Sequence, residues 1–375
     1  MNDMIVGIIP IYRHCLILAL FCFVSGQMHA SGNRHEVLFG GQYHFQYIWP
    51  HRTDLAPYAE NKVTSFEVNL GLRTSGKNHW HQLYNRPAYG IGFSYFDLGN
   101  PDVLGIVRSG FAFLEVPLGQ SGFQKRRFKL SVGLSHFDTY YHPRFNPENR
   151  FIGTPWNLHF NLNYAWLFYL GNHLEISPGV AFTHFSNGAA RAPNRGLNLF
   201  DANIGLRFMF GHGNPGMYVP ENYHVPAPGA RQNLFITYSV GQMQRENEDH
   251  IYRARTISLN TTIRKGMRMR WGVGLDFVYD DHSRQQVSMM GDIDGFMDYV
   301  TACGFVSGDI VFNRLSIMLN LGTYLYYGYE PEKLLFSRIG LRYFSSLGIL
   351  AHLALKSHDG RADYVEWGLG YGFSF

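Results

Sequence analysis

The sequence predicts an all-β protein, an antiparallel β-barrel that spans an outer membrane, and three observations carry that prediction. Of 375 residues only 16% are charged, whereas 46% are hydrophobic and the chain holds 30 Phe, 24 Tyr and 41 Gly. An ordinary soluble domain carries about 25% charged residues, so both intrinsic disorder and a coiled coil are excluded. Beyond the first thirty positions no apolar run reaches the roughly 18 residues of a membrane-crossing helix, although mean hydropathy is close to zero. Apolar residues instead alternate with polar ones, as they do when one face of a strand meets lipid and the other lines an interior.

In chain order, residues 1–30 are expected to be a secretory signal peptide. Arg13 and His14 precede an apolar stretch from Cys15 to Val24, and Met28-His29-Ala30 offers a cleavage site. Cys22 lies within the apolar stretch rather than after a lipobox, so no lipoprotein is expected. Of the three cysteines only Cys303 remains beyond this leader, which leaves no intrachain disulfide. From Glu36 the alternation has period two. Phe66, Val68, Leu70 and Leu72 share one parity against Glu67, Asn69, Gly71 and Arg73; Leu158, Phe160, Leu162, Tyr164 and Trp166 stand against Asn157, His159, Asn161 and Asn163.

Such segments fall near 36–48, 62–73, 87–96, 104–117, 126–138, 156–169, 172–185 and 197–210, then near 231–244, 251–265, 267–280, 297–311, 313–328, 333–344, 347–357 and 362–375. The total is about sixteen, an even number as bacterial outer-membrane barrels require. Between the halves, 211–230 contains Pro215, Pro220, Pro226 and Pro228 and reads as a linker or long turn. The expected domains are therefore 31–210 and 231–375. Two architectures fit, one barrel of about sixteen strands or two tandem eight-stranded modules, and the expectation leans to the single barrel.

The last segment places Val365, Trp367, Leu369, Tyr371, Phe373 and Phe375 on one face and ends on an aromatic. It resembles the C-terminal signal read by the outer-membrane barrel-assembly machinery, and a soluble edge strand would expose this aromatic surface to water. The net charge of +4 is spread along the chain, with Lys125-Arg126-Arg127 its one tight cluster, so nucleic-acid binding gains no support.

Thr183-His184-Phe185-Ser186-Asn187-Gly188 closes the seventh segment. His184 and Ser186 are two apart and share the parity of Leu174, Ile176, Val180 and Phe182, so both are predicted to face lipid. Polar side chains on that face are costly, which makes function the default explanation. With a periplasmic N-terminus the segment ends at the outer leaflet, where lipopolysaccharide resides.

Here the chain resembles the lipid A 3-O-deacylases called PagL. The resemblance rests on His184-Phe185-Ser186-Asn187, then on Pro193-Asn194-Arg195-Gly196-Leu197 leading into the next strand; at the level of fold it covers residues 34–210. It implies an esterase of a Gram-negative outer membrane that removes an acyl chain from lipid A. Ser186 is implied as nucleophile and His184 as its general base. Asn187 and the backbone of Gly188 and Ala189 are implied to hold the oxyanion, although the family's glycine falls one position after Gly188.

Asn198 occupies the place of the family's catalytic glutamate. It can accept the far imidazole proton but offers no charge. Asp201 is a weaker candidate because its parity points inward. Phe182, Phe185 and Phe200 are expected to meet the acyl chains. No cofactor is implied, although calcium on lipid phosphates could modulate access.

Rival constellations are weaker. Ser357 and His358 with Glu366 suggest a second triad, but adjacent strand residues face opposite ways, and the pair reads as loop. His79-Trp80-His81 lacks a zinc spacing. The alternative functions are a pore, lined by small inner residues such as Gly71, Gly90, Gly92 and Gly133, or a structural barrel with a degenerate, inactive deacylase motif.

Overall fold

The computed structural model describes residues 36–51, 53–59, 62–118, 125–210, 231–246, 248–291, 295–328 and 333–374. The expected signal peptide and the Pro-rich stretch 211–230 lie outside the described residues. The strands are β1 (Glu36–Ile48), β2 (Val63–Arg73), β3 (Ala88–Asp97), β4 (Ile106–Leu118), β5 (Arg126–Phe137), β6 (Trp156–Trp166), β7 (Phe168–Leu170), β8 (Leu174–Ser186) and β9 (Leu197–Phe210). There follow β10 (Arg231–Gln244), β11 (Ile251–Lys265), β12 (Met269–Asp280), β13 (Val300–Phe312), β14 (Leu315–Tyr326), β15 (Leu335–Phe344), β16 (Ile349–His358) and β17 (Arg361–Ser374).

The single barrel that the sequence favoured is replaced by two. β1 pairs antiparallel with β9, from Val37↔Phe210 to Ile48↔Leu199, and β6 pairs with β8, which closes a first ring of eight strands with the three-residue β7 lying on β8. β10 pairs with β17 and closes β10–β17 into a second ring. The chain divides into two compact units: β1–β8 with the residues from Arg195 onward through β9, and Asn187–Asn194 with the second ring.

The inward side chains explain closure at eight. A ring of that size has an interior that side chains can fill, whereas sixteen strands enclose water. In the first ring, Arg127 and Arg207 meet Glu115 and Glu175, with Arg127 Nη1 to Glu175 Oε1 at 2.6 Å and Arg207 Nη2 to Glu115 Oε1 at 2.6 Å. Lys129 Nζ donates to Glu67 at 2.6 Å and to Gln42 at 3.0 Å. In the second ring, Arg338 bridges Asp276 and Glu366, both at 2.8 Å, and Arg342 reaches Asp309 at 3.0 Å.

The glycines offered as pore lining serve the same filling. A methyl group added at Gly71 or Gly90 would strike the ring of Phe113 and one added at Gly92 the ring of Phe111, so these glycines make room for two inward aromatics, while one added at Gly133 would strike the neighbouring strand at the Gly110 carbonyl. The full chain in planar bilayers is therefore expected to give no conductance steps. A stable open level of porin size would contradict the filled interiors.

The outer wall carries the opposite parity. On β1, Phe39, Tyr43, Phe45 and Tyr47 are exposed while Gln42, His44 and Gln46 are buried, and β9 repeats the pattern with Phe200, Ile204, Leu206 and Phe208 outside. The segment expected as one strand over 156–169 breaks between β6 and β7. The break falls beside Pro178, which has no N–H to give the ladder.

At the end of the first ring that carries residues 53–59, 98–105 and 138–155, an apolar cluster caps the interior. Leu55 from a 3₁₀ turn (Thr53–Tyr58) and Leu98, Leu104, Phe151 and Ile152 from loops pack on Phe185, Leu197 and Leu199. Asn149 Nδ2 donates to the Val103 carbonyl at 2.7 Å and ties the 138–155 loop to this cap. Two α-helices escaped the alternation, α1 (His79–Leu83) and α2 (Asp281–Met290), the latter capped by the Asp280 carboxylate, which accepts from Ser283 N–H at 2.8 Å.

Candidate active site

The last turn of β8 is set by what it buries. Thr183 faces inward and accepts from Asn161 Nδ2 at 2.9 Å. Phe185 is fully buried, its ring edge-on to Phe96, Phe137 and His159 with centroids 5.2, 5.4 and 5.4 Å away. The expectation that Phe185 meets acyl chains is thereby corrected: it is an inward anchor of the capping cluster. With both neighbours held inside, His184 is turned to the outer face beside Phe182.

The β8–β9 register sets His184 opposite Asn198 and Phe182 opposite Phe200. Directly opposed residues are close enough for side chains to meet. His184 Nδ1 lies 2.6 Å from Asn198 Oδ1. An amide oxygen only accepts, so Nδ1 carries the hydrogen and Nε2 keeps its lone pair. The rings of Phe182 and Phe200 meet at 5.0 Å, tilted by 45°, and Phe200 meets Trp49 at 5.6 Å, which continues the aromatic wall beside the pair.

Two neighbours flank this pair: His51, which the sequence did not point to, and Gly196, which it offered in the motif without a role. His51 accepts from Asn198 Nδ2, with Nδ1 at 3.1 Å. Gly196, at φ +73°, passes directly over the imidazole: a Cβ there would lie 2.8 Å from His184 Cε1, and its own N–H donates to the Phe151 carbonyl at 3.0 Å. Only glycine combines that backbone with that approach.

Ser186, two residues on and opposite Leu158, closes β8 and is buried, 8% exposed. In the adjoining segment, Asn187 donates its N–H to Asn194 Oδ1 at 3.1 Å and its Nδ2 to the Arg191 carbonyl at 2.9 Å. Asn187 thus braces 187–194. Gly188 and Ala189 both adopt left-handed backbone, at φ +63° and +66°. For alanine this conformation costs about 1–2 kcal/mol, so position 189 is one where a glycine would sit without strain.

Asp201 lies inside, as its parity required, and accepts from Gln46 Nε2 at 3.1 Å and Asn203 Nδ2 at 2.8 Å, with His44 Nδ1 at 3.1 Å. The residues suggested as a second triad do not converge. Ser357 and His358 belong to β16 rather than a loop; Ser357 bonds Ser337 at 2.8 Å, His358 meets the Tyr324 hydroxyl at 2.8 Å, and Glu366 is held by Arg338. Cys303 is buried and free.

A closed ring with a filled interior, an exposed aromatic outer wall and a polar His–Asn pair set into that wall describes a β-barrel with a polar pair on its outer face. The family described as lipid A 3-O-deacylase (PagL) matches residues 64–207, and the family described as acyloxyacyl hydrolase, C-terminal domain, matches residues 232–374. Together these matches cover most of the chain, and the chain belongs to the PagL lipid A deacylase family of the bacterial outer membrane.

No curated protein matches. Among solved structures, Neisserial surface protein A is similar at 9% identity and TM-score 0.32, over 47% of this chain and 97% of its own. CdiB from Acinetobacter baumannii is similar at 9% identity and TM-score 0.19, over 90% of this chain and 60% of its own. A mutant of the Rh. blastica porin is similar at 8% identity and TM-score 0.16, over 91% of this chain and all of its own.

Proposed function

We propose that this chain is an esterase that removes one acyl chain from lipid A in a Gram-negative outer membrane, at a Ser-His site on the lipid-facing wall of the first barrel. The observation that carries this reading is the 2.6 Å contact between His184 Nδ1 and Asn198 Oδ1 on the outer face, two residues from Ser186. That contact leaves Nε2 free to act as a base.

Ser186 Oγ attacks the ester carbonyl carbon while its proton passes to His184 Nε2. The tetrahedral oxyanion needs N–H donors beside Ser186, and the N–H of Asn187, implied for that role, is committed to Asn194 Oδ1. Collapse breaks the bond to the sugar oxygen, which takes the proton from Nε2 and leaves the acyl group on Ser186. Water then attacks the acyl-enzyme, gives its proton to His184 and releases the fatty acid, and the proton returns to Ser186.

Because the substrate stays in its leaflet, its acyl chains pack on Phe182 and Phe200. Along the same wall an apolar depression of about 520 Å³ opens between Phe39, Tyr43, Ile204 and Phe208, where Gly41 presents no side chain, and continues the path. The aromatic face of β17 fits delivery by the barrel-assembly machinery.

The test is mass spectrometry of lipid A from cells that carry wild type, Ser186→Ala, or no copy. Loss of one acyl chain is expected with wild type alone. Deacylation that persists in Ser186→Ala would reject the serine as nucleophile, and identical intact lipid A in all three would reject the activity.

A further inference from the structure

We propose that His51 is a positioning residue, which selects the one orientation of the Asn198 amide in which His184 can act as a base; this rests on the Ser-His reading above. An amide has two ends of nearly equal shape and opposite hydrogen-bonding character. With Oδ1 toward His184, the imidazole keeps its hydrogen on Nδ1 and its lone pair on Nε2. With Nδ2 toward His184, Nδ1 must accept, the hydrogen moves to Nε2, and the ring has no lone pair for the serine proton. A carboxylate in this place accepts through both oxygens and has no such ambiguity. An asparagine needs something on its far side to settle it.

His51 is that something. Its Nδ1 lies 3.1 Å from Asn198 Nδ2, on the side of the amide away from His184, whose Nδ1 is 2.6 Å from Oδ1. By accepting at Nδ1 it holds Nδ2 outward and so turns Oδ1 inward to the imidazole. The placement is built into the ring: Trp49 N–H donates to the Asn198 carbonyl at 2.9 Å, which extends the β1–β9 ladder one residue past Ile48, and His51 lies two residues further on. The indole of Trp49 against Phe200 steadies the same stretch. His51 thus acts through Asn198.

The experiment uses the purified full chain in detergent micelles with lipid A, and Ser186→Ala as the blank. His51 is exposed, so His51→Ala is compatible with the fold. It is expected to lower kcat about tenfold with KM unchanged, the effect of losing one orienting hydrogen bond. In an Asn198→Glu background the same His51→Ala change is expected to cost nothing, because a carboxylate needs no orientation. A role for His51 in packing would reduce activity equally in both backgrounds.

An unchanged kcat in His51→Ala, or an equal loss in the Asn198→Glu background, overturns the assignment while leaving the hydrolase intact. Activity in Ser186→Ala equal to wild type, or none in wild type, removes the Ser-His reading itself and the role of His51 with it.

Discussion

Purified His184→Ala protein is expected to cleave lipid A at least about a thousandfold more slowly than wild type, with little change in KM. Without the imidazole, the hydroxyl of Ser186 has no acceptor for its proton and stays a weak nucleophile, and the departing sugar oxygen has no acid to protonate it. The change leaves the barrel intact, because His184 is an outward residue whose inward neighbours, Thr183 and Phe185, hold the strand end without it. Initial-rate measurements in micelles are the check, with the heat-modifiable shift of the folded barrel on a gel as control. A loss of less than tenfold in a folded protein would mean that another group takes the proton.

The second large effect is on stability. Glu115 sits between Arg127 and Arg207, with Nε–Oε1 at 3.6 Å to the first and Nη2–Oε1 at 2.6 Å to the second, and all three side chains are almost wholly buried. Glu115→Leu leaves two guanidinium groups to share the single carboxylate of Glu175, and removing one partner of such a buried network costs about 3–5 kcal/mol. Urea unfolding of the refolded barrel in lipid vesicles measures it. The double variant Glu115→Leu, Arg207→Leu keeps the Arg127–Glu175 pair and restores neutrality, so it is expected to be more stable than the single variant. A double variant less stable than the single would mean that geometry, rather than charge balance, dominates the interior.

The fold was legible because lipid and a filled interior impose opposite demands on successive residues. Every segment read from period two became a strand, except that 156–169 broke into β6 and β7, and the outward parity of His184 and the inward parity of Asp201 both followed from counting. Closure was not legible in the same way. β9 and β17 alternate alike, so the pattern on β1 does not say which of them it pairs with; the size of the inward residues decides, and Arg127, Lys129, Phe111 and Phe113 fill a ring of eight.

The assignment of Phe185 to the substrate failed for a reason already present in the sequence, since a residue adjacent to an outward His184 must point inward. His51 was hidden differently. It lies 147 positions from Asn198 in sequence, and only the closing pair β1–β9 brings the two together. α1 and α2 are short helices between strands, where alternation carries no signal.

The strand β9 carries two vocabularies on one backbone. Leu197 and Leu199 belong to the capping cluster, and Asp201, Asn203 and Arg207 to the inner hydrogen-bond lattice, while Asn198 and Phe200 look the other way. Because these sets interleave without sharing partners, the outer set is free to drift. A change from carboxylate to amide at position 198 asks for an answering residue on the outer face alone, at a place such as 51, and leaves the scaffold's inward text unedited. Such a wall is evolvable in the way enzymes with buried clefts are not, since new chemistry on it never has to be repacked into a core.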